Sequence, residues 1–111
     1  MWPAELGRAK NSAKYSMNKH FVRVLADVDC EWEGLNPIYR VYVNDELFAE
    51  RTWRWTTEYL EEMLQIEVEP GNYTLRWELV PPHLAQLTVK NVRVDFGPGQ
   101  IVENNILKVG L

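Results

Sequence analysis

The stretch FVRVLADVDCEW, residues 21–32, alternates apolar and polar side chains with a period of two. Its even positions are apolar, at Val22, Val24, Ala26, Val28 and Cys30. Because successive side chains of a strand point to opposite faces of a sheet, this alternation predicts a β-strand with one buried face.

The segment IYRVYVNDELFAERTW, residues 38–53, predicts a β-hairpin whose register depends on the length of its loop. A two-residue loop at Asn44 and Asp45 would place Glu46 and Glu50 on the face of the hairpin valines. We therefore predict a three-residue loop, residues 44–46. The predicted pairs are Val43 with Leu47, Val41 with Ala49, and Arg40 with Glu50.

This register divides the hairpin into two faces. The inner face is predicted to hold apolar residues, namely Val41, Val43, Leu47, Ala49, Trp53 and Trp55. The outer face is predicted to hold Arg40, Tyr42, Phe48, Glu50, Thr52 and Arg54. Arg51 falls among the inner residues, which indicates a bulge or a sheet edge at that point.

A second hairpin is predicted over residues 64–79, after a loop with one helical turn at 56–62. Alternating apolar residues flank the turn residues Pro70, Gly71 and Asn72. The predicted pairs on its apolar face are Val68 with Tyr73, Ile66 with Leu75, and Leu64 with Trp77.

The C-terminal third adds further strand signals. Pro81 and Pro82 predict a crossing loop at 80–84, and residues 86–96 predict a strand with a bulge at Lys90 and Asn91. This bulge would keep the apolar residues inward: Leu87, Val89, Val92, Val94 and Phe96. The tail at 100–111 predicts one more strand or a docked arm.

Short strands joined by turn residues predict an all-β fold, an antiparallel β-sandwich with jelly-roll or Greek-key connections. The predicted domain covers residues 21–111, and residues 1–20 form a flexible basic arm. The first 20 residues carry four basic residues and one acidic residue, a net charge of +3, which leaves eight basic and fifteen acidic residues, −7, in the rest.

An acidic body disfavours a nucleic-acid partner, since neutralising phosphates supplies most of that affinity. The arm residues Arg8, Lys10 and Lys14 are candidates for binding an acidic partner; a solvated tail is the other interpretation. No membrane span or secretory signal is visible in the sequence.

Few residues suggest chemistry, and no cofactor or catalytic residue is predicted. The histidines His20 and His83 lack the spacing of metal ligands. Cys30, the only cysteine, lies on the apolar side of its strand and is predicted to be a buried thiol. The acidic positions Asp27, Asp29, Glu31 and Glu33 share one face, which indicates a solvated surface or, alternatively, a calcium site that includes Asp27, Asp29 and Glu31.

The outer hairpin face is the candidate partner-binding surface. Its predicted residues are Arg40, Tyr42, Phe48, Glu50 and Arg54. Tyr42 and Phe48 would be cross-strand partners, and two interpretations stay open. Such a pair can stabilise the sheet, or it can contact another protein, because aromatic residues and arginine are favoured at interfaces.

The layout YRVYVNDELFAERTW, VEPGNYTLRWEL and LTVKNVRVDFG is similar to small jelly-roll carbohydrate-binding modules of the xylan-binding type. Those modules share a hairpin of the form vYVdG-x-l, a pGxytl hairpin and a late N-x-x-V strand. Their calcium-binding loops have no residue-by-residue counterpart here, so ligand binding is not carried over. The chain also resembles short proteins of tailed phages, especially marine and cyanobacterial ones, which have the same YRVYVND-L-ER hairpin.

The phage resemblance implies an accessory protein of a virion, found in the particle or the host cytoplasm. The first functional hypothesis is therefore a non-catalytic structural or adaptor protein that decorates a capsid or tail through contacts with virion or host proteins, with self-association as a further expectation. The alternative is a carbohydrate-binding module, assisted by calcium. An enzyme, a membrane partner and a nucleic-acid partner are not expected.

Overall fold

The computed structural model describes residues 19–54, 59–82 and 84–110, and these residues form eight strands. The strands are β1 (His20–Trp32), β2 (Ile38–Val43), β3 (Glu46–Thr52), β4 (Leu60–Val68), β5 (Gly71–Leu79), β6 (Ala85–Phe96), β7 (Gly99–Val102) and β8 (Ile106–Val109). One short 3-10 turn, Glu103–Asn105, joins β7 to β8. The prediction of an all-β antiparallel sandwich is confirmed.

Two sheets make up the sandwich. Sheet I has three strands in the order β4-β1-β6, and sheet II has five in the order β3-β2-β5-β8-β7. Only the β2–β3 and β7–β8 connections join neighbours in one sheet, and the other connections between these strands cross from one sheet to the other. The jelly-roll pattern of connections stays a prediction.

The core lies between the two sheets. The even positions of β1 from Val22 to Cys30 are all buried there, which confirms the alternation predicted for this strand. Sheet II contributes Tyr39 and Trp53, both 0% exposed, and its C-terminal strand contributes Leu107 and Val109. The prediction that Trp53 belongs to the core is confirmed, while Trp55 lies outside the described residues.

The predicted hairpin over residues 64–79 is wrong, although its buried face is right. β4 pairs with β1, and β5 pairs with β2 and β8. Leu64 and Leu75 are both buried but belong to opposite sheets. The chain crosses the sandwich at Gly71, whose φ is +155°. Alternation identifies the face of a strand that is buried, but it does not identify the neighbouring strand.

The predicted loop at 56–62 is also partly wrong. Its last three residues, 60–62, begin β4, and Glu62 is buried within that strand. Residues 55–58 lie outside the part of the chain that the structure describes. The start of this strand was not predicted, because the buried Glu62 is charged and interrupts the apolar alternation that indicates a strand.

The β2–β3 hairpin combines the two registers that the sequence offered. Arg40 pairs with Glu50 and Val41 with Ala49, as predicted. Beyond Val41 the register shifts, so that Tyr42 pairs with Leu47 and the loop has two residues. Phe48 is the extra residue of this bulge.

The bulge in β3 changes two predicted positions. Phe48 is buried at 6% exposure, next to the buried Ala49, whereas Leu47 is 42% exposed. The prediction of Phe48 as an outer-face residue and of Leu47 as a core residue is therefore wrong. A β-bulge inserts one residue into the alternation, so both side chains exchange faces.

The bulge predicted in β6 is confirmed near Asn91, where the register with β1 shifts and φ is +55°. A second shift follows between Arg23 and Val24, and it leaves Asp95 without a register partner on β1. Phe96 consequently points outward and is 54% exposed, so its predicted inward position is wrong. The tail forms two strands, β7 and β8, where one strand or an arm was predicted.

Candidate functional site

A group of apolar and aromatic side chains lies on the outer face of sheet I, which is the face that an antiparallel sandwich usually leaves polar. We call this group the sheet I patch; it consists of Phe21, Arg23, Leu25, Met63 and Phe96. Phe21, Met63 and Phe96 are 41%, 42% and 54% exposed.

The strand register brings the sheet I patch together. Arg23 pairs with Phe96 on β6, and Leu25 pairs with Met63 on β4. Phe21 and Leu25 occupy odd positions of β1, where the sequence otherwise places charged residues. This break in the alternation was the only signal of the patch in the sequence, because Met63 and Phe96 are brought to the β1 residues of the patch only by the strand order.

Contacts within the sheet I patch hold its aromatic end in place. The rings of Phe21 and Phe96 meet edge to face, with their centroids 5.8 Å apart. The guanidinium of Arg23 lies 5.6 Å from the Phe96 centroid, and its Nε donates a hydrogen bond of 2.7 Å to Asp95. The arginine is thus oriented before any partner arrives, which reduces the conformational entropy lost on binding.

Acidic residues follow the sheet I patch along the same face of β1. Asp29 and Glu31 on β1, and Glu33 directly after its end, are all exposed, and we call these three the acidic strip. Their neighbours on β6 are uncharged, because Asp29 pairs with Thr88 and Glu31 with Gln86. The strip therefore adds negative charge that its register partners do not neutralise.

Asp27 lies between the patch and the strip, and its carboxylate already has hydrogen-bond donors within the protein. Its carboxylate accepts hydrogen bonds from Asn91, at 2.9 Å, and from Arg93, at 3.3 Å. The Asn91 hydrogen bond is the main reason that the pKa of Asp27 lies below its ordinary value, and Arg93 adds to the effect. Within the described residues, no group of three His, Cys, Asp or Glu side chains is arranged to hold a metal ion. The calcium alternative at Asp27, Asp29 and Glu31 gains no support from this geometry.

The predicted partner-binding surface on the hairpin, which we call the hairpin face, keeps Arg40, Tyr42 and Glu50 together on sheet II. Arg40 donates a hydrogen bond of 2.8 Å to Glu50. Arg76 on β5 lies 4.2 Å from the ring centroid of Tyr42.

Arg76 also pairs with Asp45 and Glu78, at 3.3 Å and 3.0 Å. The charges of the hairpin face are thus largely matched within the face, which favours the sheet-stabilising interpretation.

The other predicted contact residues have different outcomes. Phe48 is in the core, as described above, and Leu47 takes its place beside Tyr42 on the hairpin face. Arg54 is exposed just beyond the end of β3. The arm residues Arg8, Lys10 and Lys14 lie outside the described residues.

A buried polar cluster lies where the edge strands β3 and β4 meet. The hydroxyl of Tyr39 donates a hydrogen bond of 2.6 Å to one carboxylate oxygen of Glu62, and Arg51 Nε donates one of 2.8 Å to the other. The Glu62 side chain is 0% exposed, and that of Arg51 is 32% exposed. Burial, together with the Glu62 carboxylate, raises the pKa of Tyr39 far above its ordinary value. The cluster links β3 of sheet II to β4 of sheet I.

Cys30 is buried at 5% exposure, which confirms the predicted position of its thiol. Burial is the main cause that raises the pKa of this thiol, and the Asp29 carboxylate contributes. A buried thiol that stays protonated is a poor nucleophile. Of the two histidines, His20 is half-buried at the start of β1, and His83 lies outside the described residues.

Comparison with protein-family models, curated proteins and solved structures finds no match to this chain. The similarity to carbohydrate-binding modules and to tailed-phage proteins therefore stays a prediction from sequence. Through residues 19–54, 59–82 and 84–110, no helix is long and apolar enough to span a membrane.

Proposed function

We propose that this chain is a non-catalytic structural or adaptor protein that acts through protein–protein contacts. Following the phage resemblance, we place it among the accessory proteins of a phage particle, on the capsid or tail. The sheet I patch supports the proposal, because phenylalanine, methionine and arginine are the residue types enriched in protein interfaces. The rings of Phe21 and Phe96 are in contact, and the register of β1 with β4 pairs Leu25 with Met63.

The two outer faces of the sandwich differ in what they offer a partner. On the hairpin face, Tyr42 is stacked with Arg76 and Arg40 is paired with Glu50. A partner would have to break or desolvate those interactions. On the sheet I patch, Met63 and Phe96 expose apolar surface that gains free energy when it is removed from water. We therefore assign the main contact surface to the sheet I patch.

The experiment compares purified particles with the free fraction of a lysate, using quantitative mass spectrometry of the wild-type chain and two variants. We expect the wild-type chain in the particles. The double variant M63Q/F96S removes exposed apolar surface from the patch and should lower incorporation at least about tenfold, equivalent to about 1.4 kcal/mol.

The matched control is L47Q, which changes a side chain of the same exposure, 42%, on the hairpin face. It should incorporate within about twofold of wild type if the patch is the contact surface. Urea denaturation of each variant establishes that all three chains are folded. Recovery of the wild-type chain only from the free fraction would rule out the virion role, and loss of incorporation in L47Q alone would move the contact to the hairpin face.

A further inference from the structure

We propose that the partner of the sheet I patch is a basic polypeptide segment, one that places apolar side chains on the patch and lysine or arginine side chains on the acidic strip. This proposal rests on the protein-contact function above and adds the chemistry of the partner. Charge complementarity carries it, because the outward positions of β1 run from the patch residues Phe21, Arg23 and Leu25 past Asp27 to Asp29 and Glu31, and Glu33 follows directly after the strand.

The spacing of the strip defines the kind of segment that fits. Asp29 and Glu31 lie two residues apart on β1, and Glu33 follows at the same interval. Two residues of a strand span about 6.6 Å. An extended partner segment with a basic residue at every second position repeats at the same interval and can place one cation near each carboxylate.

Nearby cations are already committed to other carboxylates. Arg93 contacts both Asp27 and Glu61, Arg23 is bound to Asp95, and Lys90 is the register partner of Asp27. The β6 neighbours of the strip, Thr88 and Gln86, bring no charge. The negative potential of the strip therefore remains available to attract a cationic partner.

The same charges argue against three other partners. A second copy that applied the same acidic face would bring carboxylates against carboxylates, and juxtaposed like charges suppress binding. Nucleic acid and anionic lipid headgroups would be repelled for the same reason. A cationic peptide segment with apolar residues at one end complements both the sheet I patch and the acidic strip.

The test is an NMR titration of the full chain with a synthetic peptide that has phenylalanine and leucine at its start, followed by three basic residues at every second position, with threonine between them. The control peptide replaces the basic residues with glutamate. We expect shifts confined to outward residues of β1, β4 and β6 with the basic peptide, and none with the control. Raising NaCl from about 50 mM to about 500 mM should weaken binding at least about tenfold, since salt screens exposed charges.

Two isosteric variants locate the charge effect. D29N/E31Q/E33Q neutralises the strip and should weaken binding of the basic peptide at least about tenfold. D45N/E78Q/E103Q removes the same number of carboxylates from sheet II and should leave the dissociation constant within about twofold. Equal binding by the two variants would overturn the proposal.

Other results would identify another occupant and so overturn the proposal. Peptide-dependent shifts on β2 and β3 would point to the hairpin face. Association of the full chain with itself through sheet I, strengthened in D29N/E31Q/E33Q, would identify the same face of a second copy as the natural occupant.

Failure of this inference can be told apart from failure of the proposed function. If D29N/E31Q/E33Q enters particles as well as wild type while M63Q/F96S does not, the patch is the contact surface but its partner is not basic. If the wild-type chain is never found with particles, the virion role fails, and the titration still reports whether the face binds cationic segments.

Discussion

At the scale of single residues, the contact that differs most from ordinary sandwich packing is the ion pair between Arg51 and the buried Glu62. The two residues lie on edge strands of opposite sheets, so their contact ties the sheets together at one side. Tyr39 uses its hydroxyl to satisfy the second carboxylate oxygen. A buried carboxylate is tolerated only when it is paired and hydrogen-bonded, and here both conditions are met.

We predict that substituting Arg51 lowers the free energy of unfolding more than substituting Glu62 does. R51M leaves the fully buried Glu62 with Tyr39 alone and should lower the free energy of unfolding by about 3–5 kcal/mol. E62Q leaves a guanidinium that is 32% exposed and can turn toward water, so its cost should be smaller, about 1–2 kcal/mol. Urea denaturation at neutral pH measures both values.

A double variant and a surface pair serve as controls for this prediction. R51M/E62Q should be more stable than R51M, because the second change removes the uncompensated charge. R40M breaks the exposed pair with Glu50 on the same hairpin and should cost no more than about 1 kcal/mol. Similar losses in R51M and R40M would show that the buried carboxylate does not depend on its arginine.

At the scale of the strands, the β2–β3 hairpin shows how a turn and a bulge together set the register. Asn44 and Asp45 both have positive φ, 51° and 67°, as a two-residue hairpin turn requires. Asn44 also accepts a hydrogen bond of 2.7 Å from the amide of Thr74. The bulge at Phe48 then restores the pairing of Val41 with Ala49 that the apolar pattern demands.

We predict that D45G stabilises the domain by about 0.5 kcal/mol, because glycine adopts positive φ without the steric cost of a side chain. The lost contact with Arg76 is worth little, since the Asp45 side chain is 90% exposed. N44A should destabilise by about 1–2 kcal/mol, because it removes the Thr74 hydrogen bond and leaves a β-carbon at positive φ. Thermal and urea unfolding give both changes; a lower stability of D45G would contradict this account of the turn.

The same elements show how much of the fold follows from the sequence. Alternation correctly identified the buried residues of β1 and of β4, where Leu64 and Ile66 are in the core. It failed at pairing, because two strands with matching apolar faces can pair in one sheet or face each other across the core. It also failed where a bulge adds a residue, as at Phe48 and before Phe96, since nothing in the local composition marks the extra residue.

The candidate site was less predictable than the fold, for a reason that belongs to the whole molecule. The acidic strip can be found from the sequence, because its residues alternate along one continuous segment of the chain, residues 29–33. The sheet I patch takes residues from β1, β4 and β6, and only the strand order brings Met63 beside Leu25 and Phe96 beside Phe21 and Arg23. A surface assembled from three strands depends on the strand order, and the strand order cannot be deduced from the apolar alternation within each strand.

The whole sandwich is completed by its C-terminal hairpin. β8 lies between β5 and β7 in sheet II, and its Leu107 is 0% exposed. The crossing from sheet I to this hairpin passes Gly97, where φ is +97° and an added β-carbon would lie 2.2 Å from the carbonyl oxygen of Phe21. Only glycine fits at position 97, because the chain that leads to β7 passes directly against the backbone of β1 at Phe21.

We therefore predict that the C-terminal hairpin is part of the cooperative unit and does not unfold separately. L107A should lower the free energy of unfolding by about 2–5 kcal/mol, as expected for a large-to-small change in a packed core. K108A, one residue on and exposed on the outer face, should change it by less than about 0.5 kcal/mol. Urea unfolding followed by circular dichroism and by hydrogen exchange of β1 and β8 amides should give coincident transitions in both variants. A transition of β8 that precedes that of β1 in L107A would show instead that the hairpin is a separable unit, and that the first six strands hold the sandwich without it.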